Sequence, residues 1–393
     1  MKDIMQELAE ARPGHLSGAG RVGEEVRRSE LGRAFSQPRE AVRRRGHARR
    51  LVPAVAAGAV AVTAAVLVAG TGGGTPTPRR STTAAPFRGD SVLLAAADVA
   101  AKQPMGEYWY TNQLSGLSFV VKGGYAITCA HMETFEWTAV KAGGGHLFYG
   151  RDLPARPLAA EDEAAWRKAG SPSISQVWNT DHYTPCATKA GSWKPDINHD
   201  KGGSFFVPGT AVELTAAEAQ HLPTDPAKLT KMFLVRDVNP ARAKMDPVGS
   251  KWLNDPAHVV RNASYAFANA PLPPKVRAAL MRALAAQPGV RNLGTMTDPL
   301  GRRAIAFGAD WTDGRPDRGR GGKVVWTKFG YTYREVLLFD RKTGEYLGDE
   351  AVLVKPGGRY RTRKPGFVLH YELLRGSGWT NKKPSPPSKL PFH

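Results

Sequence analysis

Cysteine is almost missing from this chain: Cys129 and Cys186 are the only two in 393 residues. Neither lies just after the apolar run near the N-terminus, which excludes a lipid-modified cysteine there. The segment ahead of that run has no cysteine at all. A cytoplasmic zinc-binding domain built on closely spaced Cys and His ligands is excluded with it. Also lacking are a glycine-rich phosphate loop, a nucleophile elbow and an HExxH helix. Their absence counts against the familiar hydrolases and leaves no catalytic residue, cofactor or metal to assign. No internal repeat is visible.

Charge is missing from one stretch only. Residues 51–70, LVPAVAAGAVAVTAAVLVAG, carry none. At about 1.5 Å per residue such a helix covers about 30 Å, the hydrocarbon thickness of a bilayer. Arg43, Arg44, Arg45, Arg49 and Arg50 precede it directly, whereas only Arg79, Arg80 and Arg88 follow within a comparable distance. Basic residues are held back on the cytoplasmic side, so residues 1–50 are expected inside and the large remainder outside. Two alternatives stay open. A cleaved signal peptide would need a shorter leader and a better small-residue site than Ala69-Gly70-Thr71. A buried core helix would accept the Ala and Val content, but it does not explain the one-sided arginines.

The formal charge of +20 divides into +5 over residues 1–50 and +15 over the rest. A basic domain outside the cell would be drawn to anionic wall polymers or phospholipid head groups, and nucleic acid would be out of its reach. A generally solvated basic surface accounts for the same residues.

Residues 1–12 place Ile4, Met5 and Leu8 at helical spacing. The rest of the tail to residue 50 has too few apolar positions to bury a core. Residues 71–90 form a Gly, Thr and Pro linker ahead of a domain over 91–375, and the proline-rich residues 376–393 are expected to carry no regular structure. Within the domain, helices are expected over 91–103, 161–169, 215–221, 225–234, 256–268 and 274–286. The strand candidates are YWYTNQL, LSFVV, YAIT and TFEWTAV, then VRNLGTMT, RRAIAFGADW, KVVWTKFG, TYREVLLFD and YLGDEAVLV. Asp298-Pro299 and the residues 341–344 suit hairpin turns. The fold class is α+β, one transmembrane helix followed by an extracytoplasmic domain.

Three stretches, DEAAWRKAGSPS at 162–173, APLPPKVRAALMRALAAQPGV at 270–290 and LLFDRKTGEYLGDEAVL at 337–353, carry a likeness in their order and spacing. With the arginine-rich tail and the single span, the chain resembles a family of actinobacterial single-pass membrane proteins of unassigned function, commonly encoded beside sigma-factor genes. The C-terminal half of such proteins is similar to the lipoprotein-carrier half-barrel, which periplasmic stress sensors also use. The resemblance therefore implies a curved antiparallel sheet packed on helices, and it names a sigma factor as a partner for residues 1–50. It offers no catalytic residue to carry over.

Three constellations could carry chemistry. Cys129 and Cys186 can form a disulfide in an oxidising compartment, remain two separate thiols, or join His131 and His182 around zinc at a spacing unlike known zinc knuckles. Arg359, Arg361 and Arg363 would share one face of an extended segment and meet an anionic envelope ligand, or serve as charges that protect an edge strand. Trp109, Tyr110, Phe119, Trp137, Phe148 and Trp166 could line a lipid-binding concavity, or be ordinary core.

The sequence thus points to a membrane-anchored extracytoplasmic binding or sensor protein, not an enzyme, whose partners are the bilayer, an anionic envelope ligand and a sigma factor. A cell-envelope-acting enzyme and a cleaved secreted protein are the rivals. Reporter fusions after Arg50 and after Phe87 should report cytoplasm and exterior respectively. A soluble secreted product lacking residues 1–70 would refute the anchor.

Overall fold

The computed structural model describes residues 89–179, 182–195, 204–208, 210, 212–236, 244, 247–311, 314–318 and 324–391, which all belong to one compact unit. The tail over 1–50, the apolar run over 51–70 with its arginine flank, and nearly all of the linker lie outside the described residues. Among the described residues no helix is long and apolar enough to cross a membrane.

The fold is α+β, a large curved antiparallel sheet with several helices. In chain order come α1 (Gly89–Ala100), β1 (Tyr108–Val120), β2 (Ala126–Ala139), β3 (His146–Asp152), α2 (Ala160–Lys168), β4 (Gln176–Asn179), β5 (His182–Pro185), β6 (Lys194–Pro195), β7 (Ser204–Phe206) and β8 (Glu213–Thr215). After them stand α3 (Ala216–Ala219), α4 (Pro226–Leu229) running into a π-helical turn over Thr230–Leu234, α5 (Pro247–Trp252), α6 (Pro256–Asn269) and α7 (Pro274–Ala285). The chain then closes with β9 (Arg291–Thr297), β10 (Arg303–Asp310), β11 (Arg315–Arg318), β12 (Val324–Thr327), β13 (Thr332–Phe339), β14 (Tyr346–Lys355) and β15 (Val368–Thr380).

Nine strands make the main sheet, in the order β6-β3-β2-β1-β15-β14-β13-β10-β9. Two meanders, one from each end of the domain, are joined where β1 pairs with β15, from Tyr108 opposite Thr380 to Leu117 opposite His370. The pairs β4-β5, β7-β8 and β11-β12 stand apart as small hairpins.

Helix α6 begins where Asp255 accepts a hydrogen bond from the Ala257 N–H and Pro256 occupies the first turn, a start signal legible in the sequence. Its buried side, with Val260, Ala263 and Phe267, packs on β10, β13 and β14. Phe267 stands edge-on to Phe339 at 5.4 Å and stacks on Tyr346 at 5.4 Å. Helix α7 packs on α1. Between β13 and β14, Asp340 accepts from the Lys342 and Thr343 N–H groups. Gly344 follows with φ of 68°, and a Cβ there would fall inside the Ala96 carbonyl of α1. Only glycine meets both demands.

Three expectations change. YWYTNQL and LSFVV merge into the single long strand β1, and YAIT and TFEWTAV into β2, because bulges at Ser115/Leu117 absorb the break in alternation. The central strand β15 and the flanking strand β3 were not among the candidates. The segment 376–393, expected to lack structure, begins inside β15, and residues 382–391 then lie on the sheet, held by hydrogen bonds from Arg151, Trp193 and Arg375.

The structure joins Cys129 of β2 to Cys186, just past β5, across a sequence separation of 57. Around the bridge pack Phe119, Tyr125, Ile127 and Val177. Non-reducing peptide mapping should find the two cysteine peptides linked. In the chain-entropy account a loop of this length contributes about 4 kcal/mol, so the double change Cys129→Ser with Cys186→Ser should lower the unfolding free energy in urea by about that amount. Free thiols at both positions, or unchanged stability, would contradict the assignment.

Candidate functional site

The helix-covered face of the sheet gathers three carboxylates. Asp349 of β14 stands opposite Glu372 of β15 and opposite Leu337 of β13. Glu335 lies two residues before Leu337 and therefore shares that face. Asp349 accepts hydrogen bonds from Ser264 of α6 at 2.5 Å and from the Tyr346 hydroxyl at 2.9 Å. The Ser264 and Tyr346 oxygens are themselves 2.9 Å apart. Glu335 accepts from the Trp311 indole N–H at 2.9 Å, and Glu372 from the Gln113 amide at 2.7 Å. One turn before Ser264, Arg261 brings the positive charge felt by Glu335, His258 and His370. Trp252, His258 and Trp311 pack as an aromatic group at this end, with Trp252 and His258 at 4.5 Å.

Burial, with the Glu372 charge second, pushes Asp349 well above the ordinary carboxylate range. That burial favours the protonated form of Asp349. Burial likewise raises Glu335 and the Tyr346 phenol. His258 and His370 are held down at about 3, by burial first and the Arg261 charge next. In this seam the Ser264 hydroxyl donates to Asp349, and burial favours the protonated form of both Asp349 and Glu335.

Alternate residues of β1 and β2 continue this face to a shallow recess beside the end of α6. Trp109, Thr111, Glu136, Thr138, Ser204, Asn269 and Pro271 line it, around a volume of about 10 Å³, room for a single water. Glu136 faces His146 at 3.9 Å.

The opposite face carries its own buried ions. Glu133 accepts from Arg151 Nε at 2.8 Å and Nη2 at 2.5 Å, from Arg375 Nη1 at 2.6 Å and from Asn112 Nδ2 at 2.9 Å. Two residues earlier, His131 meets the Tyr371 hydroxyl at 3.0 Å through Nε2 and the Pro154 carbonyl at 3.1 Å through Nδ1. Burial holds His131 down at about 4. On β14, Glu350 points away from Asp349, and its Oε1 finds no hydrogen-bond partner among the described residues. Burial, and after it the charges of Asp298 and Asp349, lift it to about 8.

The arginine row predicted at 359–363 does not form. Gly357 and Gly358 start a 3₁₀ turn over Gly358–Tyr360, which sends the three side chains apart. Arg363 is buried against Asp162 at 2.7 Å and donates to the Gly124 carbonyl. Arg359 donates to Asn179 at 3.2 Å, and Arg361 is exposed. The predicted aromatic concavity is also dispersed. Trp109 packs on Trp379, Tyr110 on Phe135, Phe119 against the disulfide, and Trp137 on Tyr108, while Trp166 donates to the Pro172 carbonyl. The zinc alternative loses its sulfurs to the disulfide. Sequence reasoning missed Glu335, Asp349, Glu372 and Glu133. The one available signal was charge at core positions of strands such as YLGDEAVLV, where alternation would put Asp349 and Glu350 on two buried faces.

No family model matches the chain, and no curated protein matches it.

Glu350 sets a pH dependence. Its folded pKa lies above the unfolded value, so its contribution is fully present below about pH 4.5 and is lost as pH rises through about 8. His258 and His370 act oppositely. Their contribution is present above about pH 6.5 and fades as pH falls toward 3. Glu350→Gln should therefore raise stability at pH 8.5, by on the order of 3 kcal/mol, and leave it nearly unchanged at pH 5. Urea titrations at the two pH values check this, and an equal effect at both would refute it.

Proposed function

We propose that this chain is a membrane-anchored extracytoplasmic binding or sensor protein without catalysis of its own. In this reading residues 51–70 span the bilayer, residues 1–50 lie in the cytoplasm and the α+β domain stands outside. The observation that carries the reading is the Cys129–Cys186 bridge. Disulfides persist in oxidising compartments, outside the cytoplasm. The arginine flank ahead of the apolar run supports the same direction. Binding in place of catalysis is supported by the lack, in the sequence, of a phosphate loop, a nucleophile elbow or an HExxH helix.

A domain outside the membrane reaches the cell only through its span, so residues 1–50 carry any output. Their amphipathic start at Ile4, Met5 and Leu8 and their low capacity to fold alone suit a segment that orders on a partner. The family resemblance names a sigma factor as that partner. Purified residues 1–50 should bind such a factor at micromolar concentration and gain helical circular dichroism on binding, and Leu8→Asp should abolish both. If no binding is found, or if an unrelated basic sequence in place of residues 1–40 leaves transcription unchanged, the tail is an anchor only.

A further inference from the structure

The face of β1–β3 opposite the helices is covered by residues 382–391 of the chain itself. In the stretch from Pro384 to Pro387 (Pro-Ser-Pro-Pro), the three prolines are half-buried and Ser385 is exposed. Pro384 and Pro387 stand three apart, the repeat that brings side chains to one side of a polyproline II helix. The contacts are of two kinds. Trp193 donates its indole N–H to the Pro387 carbonyl at 2.8 Å, and Lys383 lies over the Trp137 ring at 4.4 Å. The Lys389 carbonyl accepts from Arg151 at 2.9 Å and from Arg375 at 3.1 Å. Both arginines are aimed by Glu133, and Arg151 also stacks at 4.4 Å on Trp193.

The features that hold this strap are those by which aromatic surfaces read proline-rich peptides. The prolines are half-buried on the sheet, a lysine lies over a tryptophan ring, and an indole N–H meets a backbone carbonyl that no helix or strand uses. The exposed side chains of the strap, Ser385, Ser388, Lys389 and Leu390, are not what the surface reads. Its backbone carbonyls and inward prolines are. Glu133 is fully buried with two arginines around it, and the same nitrogens that bind it, Arg151 Nη2 and Arg375 Nη1, also donate to the strap's Lys389 carbonyl.

We propose that this face of β1–β3 is a recognition site for extended proline-rich segments bearing lysine, occupied in cis by residues 382–391, and that it takes a segment of the same chemistry from a partner polypeptide when the strap is displaced. The proposal does not depend on membrane topology.

To test it, a specific protease site is placed after Thr380 in the full chain, and the folded protein is cut and washed. A labelled peptide NKKPSPPSKLPFH should then bind the cut protein saturably, at least tenfold more tightly than it binds the uncut chain, whose site is filled. Trp193→Ala in the cut protein, or alanine at the peptide positions matching Pro384 and Pro387, should each weaken binding about tenfold. Because cutting follows folding, loss of fold is not confounded with loss of binding, and circular dichroism before and after checks it. Equal binding to cut and uncut protein would overturn the proposal, as would equal binding of a proline-free peptide of the same charge. A released segment that the labelled peptide never replaces would also overturn it.

Discussion

The pairing of β1 with β15 holds the molecule together. It joins the first strand of the sheet to the last, and the hydrogen bond from Gln113 to Glu372 spans 259 residues of sequence. Apart, the two halves would be a four-stranded and a five-stranded sheet, each with β1 or β15 as an open edge, and an open edge is a template for association with other chains. Once β1 and β15 pair, the remaining outer edges are the two-residue β6 and the exposed β9. Such long-range pairing costs loop-closure entropy before any contact repays it. Local elements that form early, such as the β13–β14 turn and the α6 start, reduce the search for that register.

The same pairing creates both chemical environments. Glu372 arrives opposite Asp349 because β15 lies beside β14, and Arg375 arrives beside Glu133 because β15 also lies beside β1. On the helix-covered side the three carboxylates lie close together, and burial with the Glu372 charge raises Asp349. On the other side two arginines surround Glu133, and the Nη atoms that bind it also donate to the backbone carbonyl of the strap. The two faces therefore carry a seam of raised carboxyls and a surface that donates to carbonyl oxygens. The disulfide fastens the β4–β5 hairpin to the end of β2, clear of both.

Much of the local structure could be read from residue order. The α6 and α7 starts, the turns at Asp298 and Asp340, and the strands β9, β10, β13 and β14 follow from capping residues, prolines and alternation, all of which act within a few positions. β15 escaped notice because VLHYELLRGSGWT mixes charge, glycine and serine into a strand whose two faces are both covered, so neither an apolar run nor clean alternation results. The arginine row at 359–363 failed for a related reason. Alternation was assumed across Gly357 and Gly358, where the backbone turns.

What the sequence by itself determined is short-range: the uncharged run with its arginine flank, the periodicities that make helices and strands, the turns, and the scarcity of cysteine that left Cys129 and Cys186 as each other's only cysteine partners. The tertiary structure alone decided which residues meet. Asp349, Glu372, Glu335 and Ser264 come from three strands and one helix, and Arg151, Glu133, Arg375 and Lys389 from four separated segments. Strand register and chain crossing set their distances, and no local pattern encodes them. A proline-rich segment too polar to fold on its own became ordered for that reason, since a surface assembled from distant strands supplied the rings and donors it needed.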